Sequence, residues 1–398
     1  MNDEREARAW RAGRAVLQAL RAAGFQAWFV GGCVRDRLLG RPCLDIDLAT
    51  DAEPEQVAAL FPRCIDVGKR FRVMRVLWEG HDIEVATLRS DGPYGDGRHP
   101  ESVRPGTLAE DAQRRDFTIN ALYEDSEGRI LDPVGGLADL RAGVLRAIGD
   151  PEARFTEDRL RVLRALRLAA QLSFTIDPRT ADAVRRMPAG GVARERILDE
   201  LRKAASSGTA ARFFALACEL GRGDDIAPSA EPERAARLLE RLGPAPLAVV
   251  LAAWLCGLPE DRWRAWIFCQ PLSNAERALI QALLTVGLRL PNLASAERRR
   301  ALRSPPAVEL VAFAAADEPE RLPVLLRWLA QESAASPCPL AARDLLALGY
   351  RPGPEIGRLL RALEDAWLSG SLPGRAELEA LARCGLVAHG STRRGSQH

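Results

Sequence analysis

Lysine is almost missing from this 398-residue chain: only Lys69 and Lys203 occur, so 54 of the 56 basic residues are arginine. At that abundance an arginine carries meaning only by its position. Histidine is scarce too, with four residues, and the eight cysteines form no C-x-x-C pair and do not cluster with the histidines. That excludes the familiar structural zinc spacings. Scattered cysteines in a long chain read as reduced, mostly buried thiols. No run of about 18 apolar residues is present, which excludes a membrane-spanning helix. Residues 1–13 are charged and lack the apolar stretch of a signal peptide, so a cytoplasmic protein is expected. An excess of either charge is also missing, since 56 basic against 54 acidic residues leave +2. Near-neutrality argues against an indiscriminate binder of nucleic acid, yet it leaves room for a local basic patch.

The charge that is there is segregated. Residues 1–150 hold 21 basic and 25 acidic residues, 151–300 hold 24 and 18, and 301–398 hold 11 of each. At roughly 100–200 residues per domain, the length suits two to four domains. Residues 4–23 place Trp10, Val16, Leu17 and Leu20 on one face of a helix. Residues 26–30 read as a short strand ending at Gly31-Gly32, 33–39 as a helix stopped near Gly40, and 44–49 as a half-buried strand. Pro54 opens a helix through Leu60. Residues 73–78 and 82–87 flank Glu79-Gly80 as a hairpin. Residues 89–107 are polar and rich in Gly and Pro, which predicts a long flexible loop. Strand signals return over 119–123 and 129–131. After Pro151 the pattern turns helical and stays so. The expected organisation is a mixed α/β head over 1–150, neck helices over 151–205, a helical body over 206–390 and a disordered tail over 391–398.

The strongest local signal is Phe29-Val-Gly-Gly32, then Val34-Arg35-Asp36, then Asp45-Ile-Asp47. Residues two apart in a strand share a face. Asp45 and Asp47 therefore set two carboxylates side by side, with Leu44, Ile46 and Leu48 opposite. Like charges that close repel unless a cation lies between them. Oxygen ligands without His or Cys point to Mg²⁺, which commonly binds through one or two carboxylates plus substrate phosphates. Gly31-Gly32 precedes a helix start, where free backbone N–H groups favour an anion. Arg35, about one turn on, reaches the same phosphates. Alone, a D-x-D is common on solvated strands and a Gly-Gly is common in turns; strand, Gly-Gly, helix and D-x-D strand together are far more specific.

These residues resemble a known signature. Gly31-Gly32-Cys33-Val34-Arg35-Asp36, Leu38-Leu39-Gly40-Arg41 and Asp45-Ile-Asp47-Leu-Ala-Thr50 look like class II tRNA nucleotidyltransferases, a family that holds the CCA-adding enzymes and the bacterial poly(A) polymerases. Arg114-Arg115-Asp116-Phe117-Thr118-Ile119-Asn120-Ala121, Asp132-Pro133-Val134-Gly135-Gly136 and Glu157-Asp158-Arg159-Leu160-Arg161 with Arg164 match further blocks. The match is dense over about residues 25–175. The fold it implies is α+β, a polymerase-β-like nucleotidyltransferase head with a small mixed sheet followed by an elongated all-helical body. The activity it implies is template-independent addition of C, C and then A to the 3′ end of tRNA, from CTP and ATP, with release of pyrophosphate.

By the same resemblance Asp45 and Asp47 hold two Mg²⁺ ions, and Gly32 and Arg35 contact the triphosphate. Glu84 is a third catalytic carboxylate, or simply an exposed strand residue. Arg115, Asp116 and Asn120 meet ribose and phosphates, although Asp116 alone also suits a cap or an ion pair. Residues 157–167 are expected to form one helix capped by Thr156, with Asp158 and Arg161 on one face. Such a pair is a surface ion pair of small worth, or it reads the base. Cytosine and adenine both present an amino donor beside a ring-nitrogen acceptor, which suits a carboxylate plus a guanidinium; uracil and guanine present the opposite order. Arg164 and Arg167 continue the stripe, facing phosphates or bracing Asp158, or lying on a plain helix surface.

Among the implied partners are the tRNA acceptor arm, CTP and ATP, with no membrane and no protein partner. The sequence does not say which body residues grip tRNA; Arg194, Arg196, Arg202, Lys203 and Arg298-Arg299-Arg300 supply positive charge for phosphates, or form solvated helix faces. The 89–107 loop, with Asp96 and Arg98 as movable contacts, favours a full CCA or A-adding enzyme. The alternatives are a poly(A) polymerase, an enzyme adding only the terminal A, and a non-catalytic RNA-binding relative. An HD phosphohydrolase extension is not expected, because His81-Asp82 falls on a strand.

Overall fold

The computed structural model describes residues 2–68, 72–94, 100–303, 305–335, 337–371 and 374–391. Asp96, Arg98, Lys69 and 392–398 lie outside them. The chain forms two compact units, Met1–Pro228 and Ser229–His398.

In the first unit, helix α1 (Asn2–Ala22) precedes β1 (Ala27–Val30), α2 (Gly32–Leu38), β2 (Ile46–Thr50), α3 (Pro54–Leu60), β3 (Cys64–Gly68), β4 (Val73–Trp78) and β5 (His81–Thr87). Val16, Leu17 and Leu20 are fully buried where α1 packs on the sheet. Gly13 lies in this helix because β2 comes so close: a Cβ there would sit 2.6 Å from Ile46 Cγ2. Glu79 and Gly80 both take positive φ, 47° and 78°, and close the β4–β5 hairpin as expected. β8 (Tyr123–Glu124) and β9 (Ile130–Leu131) complete a seven-stranded sheet in the order β3-β4-β5-β2-β1-β8-β9. Only β2 and β5 pair in parallel, which makes the sheet mixed.

Four local expectations are corrected. The described parts of the 89–107 segment, 89–94 and 100–107, are not structureless: β6 (Arg89–Asp91) pairs with β7 (Val103–Pro105), and Tyr94 bridges Pro100. An Arg89–Asp91 ion pair and the Thr107–Glu110 capping box at the start of α4 (Leu108–Gln113) pin it. Residues 118–120 form a 3₁₀ turn rather than a strand. β2 begins at Ile46, leaving Leu44 and Asp45 exposed ahead of it. The expected single helix over 157–167 is two. After α5 (Gly136–Ala142) and β10 (Val144–Leu145), α6 (Pro151–Glu157) is capped by Asp150, and α7 (Leu160–Leu172) starts afresh. Asp158 separates them in extended conformation, accepting a hydrogen bond from the Leu160 N–H. Thr156 is inside α6 and donates to the Glu152 carbonyl, so it caps nothing.

β11 (Thr175–Ile176), α8 (Pro178–Arg186), α9 (Arg194–Ser206), α10 (Ala210–Glu219) and α11 (Gly223–Ile226) finish this unit. The expected head and neck therefore share one compact unit. Among the described residues the elements of the second unit are all helices, from α12 (Pro232–Leu242) to α21 (Arg375–Ser391). All nine residues of α13 (Leu247–Leu255, LAVVLAAWL) are buried, which suits a helix that is apolar all round. Among the described residues no helix is long and apolar enough to cross a membrane.

Candidate functional site

The first turn of α2 lies against β2 and the 3₁₀ turn. Gly31 takes φ 79° and ψ −133°, and a Cβ there would lie 3.4 Å from Arg115 Nη1 and 4.0 Å from Asp47 Oδ2. The contacts are of ordinary van der Waals length, so it is the positive φ that favours glycine here. The Cys33 thiol donates to the Val30 and Asp47 carbonyls and ties α2 to both strands.

Asp47 is half-buried and pairs in register with the exposed Glu84 across the parallel strands, so the two carboxylates share a face. Desolvation, with repulsion from Glu84 and then Asp45, pushes Asp47 up to about 7 against the pull of Arg115. Two carboxylates set on one strand face repel each other, and a divalent cation between them relieves that repulsion. Among the described residues no group of three or more His, Cys, Asp or Glu side chains is placed to hold a metal ion, so the face offers a pair of carboxylates rather than a complete ligand set. An open carboxylate face suits an ion that takes its remaining ligands from substrate.

Beyond the carboxylates runs a chain of alternating partners. Arg35 holds Asp36 bidentately at 2.9 and 2.8 Å and donates from Nη1 to Asn120 Oδ1 at 2.6 Å. Asn120 Nδ2 donates to Asp116 Oδ1 at 3.1 Å. Asp116 Oδ2 accepts from Arg164 Nε and Nη2 at 2.8 and 2.7 Å. Burial pushes the Asp116 carboxyl up, but Arg164 and Asn120 more than compensate and hold it far below the usual range. Three separate blocks, on α2, the 3₁₀ turn and α7, thus meet.

Arg115 lies beside this chain. It donates to Asp111 Oδ2 and the Tyr123 hydroxyl, while Arg114 forks onto Asp111 Oδ1. Burial raises the Asp111 carboxyl, yet Arg115 and Arg114 bring it to about 2.

Asp158 and Arg161 are placed differently from their helical-face expectation. Asp158 and Arg161 make no ion pair with each other. Asp158 is gripped by Arg196 at 3.1 and 2.8 Å. Arg161 donates to Glu157 Oε2 at 2.6 Å and to the Arg154 and Arg114 carbonyls at 2.9 and 3.0 Å. Arg164 braces Asp116 rather than Asp158. Arg167 is buried in an ion pair with Glu200 at 2.5 Å and also donates to Gln171, so it joins α7 to α9.

Asp111 and Glu200 were not singled out from the sequence, Glu157 entered only as part of a motif block, and Arg196 only as a candidate phosphate contact. Asp111 had a signal, lying four residues before Arg115 on one helix face. The pairings of Arg196 with Asp158 and of Glu200 with Arg167 gave no signal, because the partners lie 38 and 33 residues away.

The head matches the family model described as "Poly A polymerase head domain" over residues 27–146, and residues 173–241 match "Probable RNA and SrmB- binding site of polymerase A". Fold and site therefore define a nucleotidyltransferase of the polymerase-head type. The chain is 35% identical over 379 residues, 90% of its length and 93% of the relative's, to a CCA-adding enzyme of Lactobacillus delbrueckii subsp. bulgaricus. It is 39% identical over 281 residues to one of Geobacillus stearothermophilus, covering 68% and 70%. It also superposes on the crystal structure of a Bacillus stearothermophilus CCA-adding enzyme in complex with CTP, with a TM-score of 0.78, 30% identity and coverage of 98% and 99%. The chain belongs to the CCA-adding enzyme family. Nucleotidyltransferases of this family are metal-dependent.

Proposed function

We propose that this chain adds C, C and A to the tRNA 3′ end from CTP and ATP, in the cytoplasm. The observation that carries the reading is the bonded chain from Arg35 through Asn120 and Asp116 to Arg164, which assembles one site from three motif blocks. The tRNA 3′ hydroxyl attacks the α-phosphorus, the α–β phosphoanhydride breaks, and pyrophosphate leaves. Asp45 and Asp47, with Glu84 alongside, would hold Mg²⁺, which supplies charge neutralisation and activation of the hydroxyl when bound. Gly32 and Arg35 orient the triphosphate. Asn120, Asp116 and Arg115 position the ribose, and Arg164 keeps Asp116 ionised as an acceptor. Asp158 accepts from the exocyclic amino group of C or A, and Arg161 donates to the neighbouring ring nitrogen. Arg167 contributes by holding α7 on α9. Uracil and guanine would leave both protein groups unpaired, which is what makes such rejection strong. The domain roles follow as a catalytic head over 1–150, nucleotide recognition over 151–205 and tRNA binding beyond. The seven described cysteines are free thiols, in keeping with a reducing compartment.

The test is incubation with tRNA ending at the discriminator base, with CTP alone, ATP alone and both. Addition of CC from CTP and CCA from the mixture is expected. A long A-tract without C would establish poly(A) synthesis instead, and no extension by CTP alone would mark an A-only enzyme. Asp45→Ala and Asp47→Asn are expected to retain tRNA affinity in a gel-shift assay and to lose transfer by at least about a hundredfold. Undiminished transfer would remove the metal assignment.

A further inference from the structure

We infer that Arg196 is the positioning residue that fixes the base-reading carboxylate, and through it sets nucleotide selection. The inference rests on the reading that Asp158 accepts from the base.

Arg196 is on α9, and Asp158 lies between α6 and α7. The guanidinium meets the carboxylate in a two-bond fork, Nη1 to Oδ1 at 3.1 Å and Nη2 to Oδ2 at 2.8 Å. The Leu160 N–H adds a third bond to Oδ1 at 3.0 Å. A carboxylate has about four acceptor positions, so one remains, on Oδ2. A fork fixes the plane of the carboxylate, which a point cation does not. The open lone pair therefore has one direction, set from a helix that carries none of the other proposed nucleotide contacts. Both side chains are mostly shielded, at 24% and 18% exposure, so water competes poorly for the fork.

The base of the fork is itself braced. Arg196 and Glu200 are four apart on α9 and face the same way. Glu200 receives Arg167 of α7 at 2.5 Å and Lys203 at 3.1 Å. Two ionic ties thus link α9 to the segment that carries Asp158 and Arg161. Arg196 is accordingly engaged inside the unit, not presented for RNA phosphates. Without it the carboxylate keeps only the Leu160 bond and is free to rotate about its side-chain torsion. A rotated acceptor no longer lines up with the donor of Arg161, and the order that distinguishes C and A from U and G is lost.

The experiment measures single-nucleotide kcat/KM for CTP and UTP on tRNA ending at the discriminator base, and for ATP and GTP on tRNA ending in CC. It uses the full chain and Arg196→Ala, Arg196→Lys and Asp158→Ala, with tRNA affinity and thermal midpoint recorded for each. For Arg196→Ala we expect kcat/KM for CTP to fall on the order of ten- to a hundredfold. The CTP:UTP and ATP:GTP ratios should drop about tenfold, with tRNA affinity unchanged. Arg196→Lys, which keeps the charge and the α9 tie without the fork, should remain folded and still show reduced selection. If Arg196→Ala and Arg196→Lys keep wild-type ratios while Asp158→Ala loses them, the role of Arg196 is overturned and the base-reading assignment stands. Wild-type ratios in Asp158→Ala overturn both. Weakened tRNA binding with intact ratios would make Arg196 an RNA contact and overturn the inference.

Discussion

At the scale of the residue, the site is a set of charges made tolerable by their neighbours. Asp111 is the clearest case, buried to 1% exposure under Arg114, Arg115 and Tyr123. Its carboxyl at about 2 lies below the ordinary 3.8, so its contribution is present above pH ~4 and lost as pH falls toward 2. The shift corresponds to about 2 kcal/mol. Denaturant unfolding of wild type and Asp111→Asn across pH 2–6 should therefore show wild type losing roughly that much more as acid is added. At neutral pH Asp111→Asn should be less stable by about 3 kcal/mol, because two guanidiniums lose their counter-charge. Most members of the site were legible in the sequence, since each sits in a short motif whose chemistry is local. Asp158 and Arg161 show the limit of that legibility. Their spacing suggested a shared helical face, but the backbone breaks at Asp158, and the partner that orients its carboxylate is far along the chain.

At the scale of the element, the expected boundaries held where a glycine or proline enforces them. α3 runs from Pro54 to Leu60 as read, and α2 stops short of Gly40, which takes φ 63°. They failed where composition suggested flexibility and tertiary pairing supplied order, as in the β6–β7 hairpin. They failed again at Thr118–Asn120, where a strand expected from Ile119 gives way to a 3₁₀ turn. That turn is shaped from below by the Asp132–Gly136 segment. Asp132 accepts from the N–H groups of Gly136 and Leu137 at 2.7 and 2.9 Å, which sets the start of α5. A Cβ on Gly136 would then lie 2.2 Å from the Thr118 carbonyl oxygen. Gly136→Ala must push the turn that carries Asn120. We expect a loss of about 1–3 kcal/mol in thermal or denaturant unfolding, with CTP affinity reduced as well. A variant of unchanged stability and affinity would show that the turn is not held this way.

At the scale of the whole molecule, the near-zero net charge describes a protein whose cations are largely spent on its own anions. Of the residues offered from sequence for RNA, Arg202 pairs with Asp199, Lys203 with Glu200, Arg299 with Glu332, and Arg300 with Glu364 and Asp365. Arg298 stacks on Trp328 with 3.9 Å from its guanidinium carbon to the ring centre, and Arg194 donates to the Asp225 carbonyl. If all seven of these cations, Arg196 included, neutralised a phosphate, the logarithm of tRNA affinity would fall with slope about −6 against the logarithm of salt. Internal pairing predicts a shallower slope, about −2 to −3, measurable by titration between 50 and 300 mM salt. A steep slope would mean that RNA displaces these internal partners. The dearth of lysine has a practical side. Lys203 is the one described side-chain amine, 55% exposed on α9 beside the Arg167–Glu200 pair. An amine-reactive fluorophore therefore has few places to attach, and a dye at Lys203 would report from the helix that carries Arg196, seven residues away.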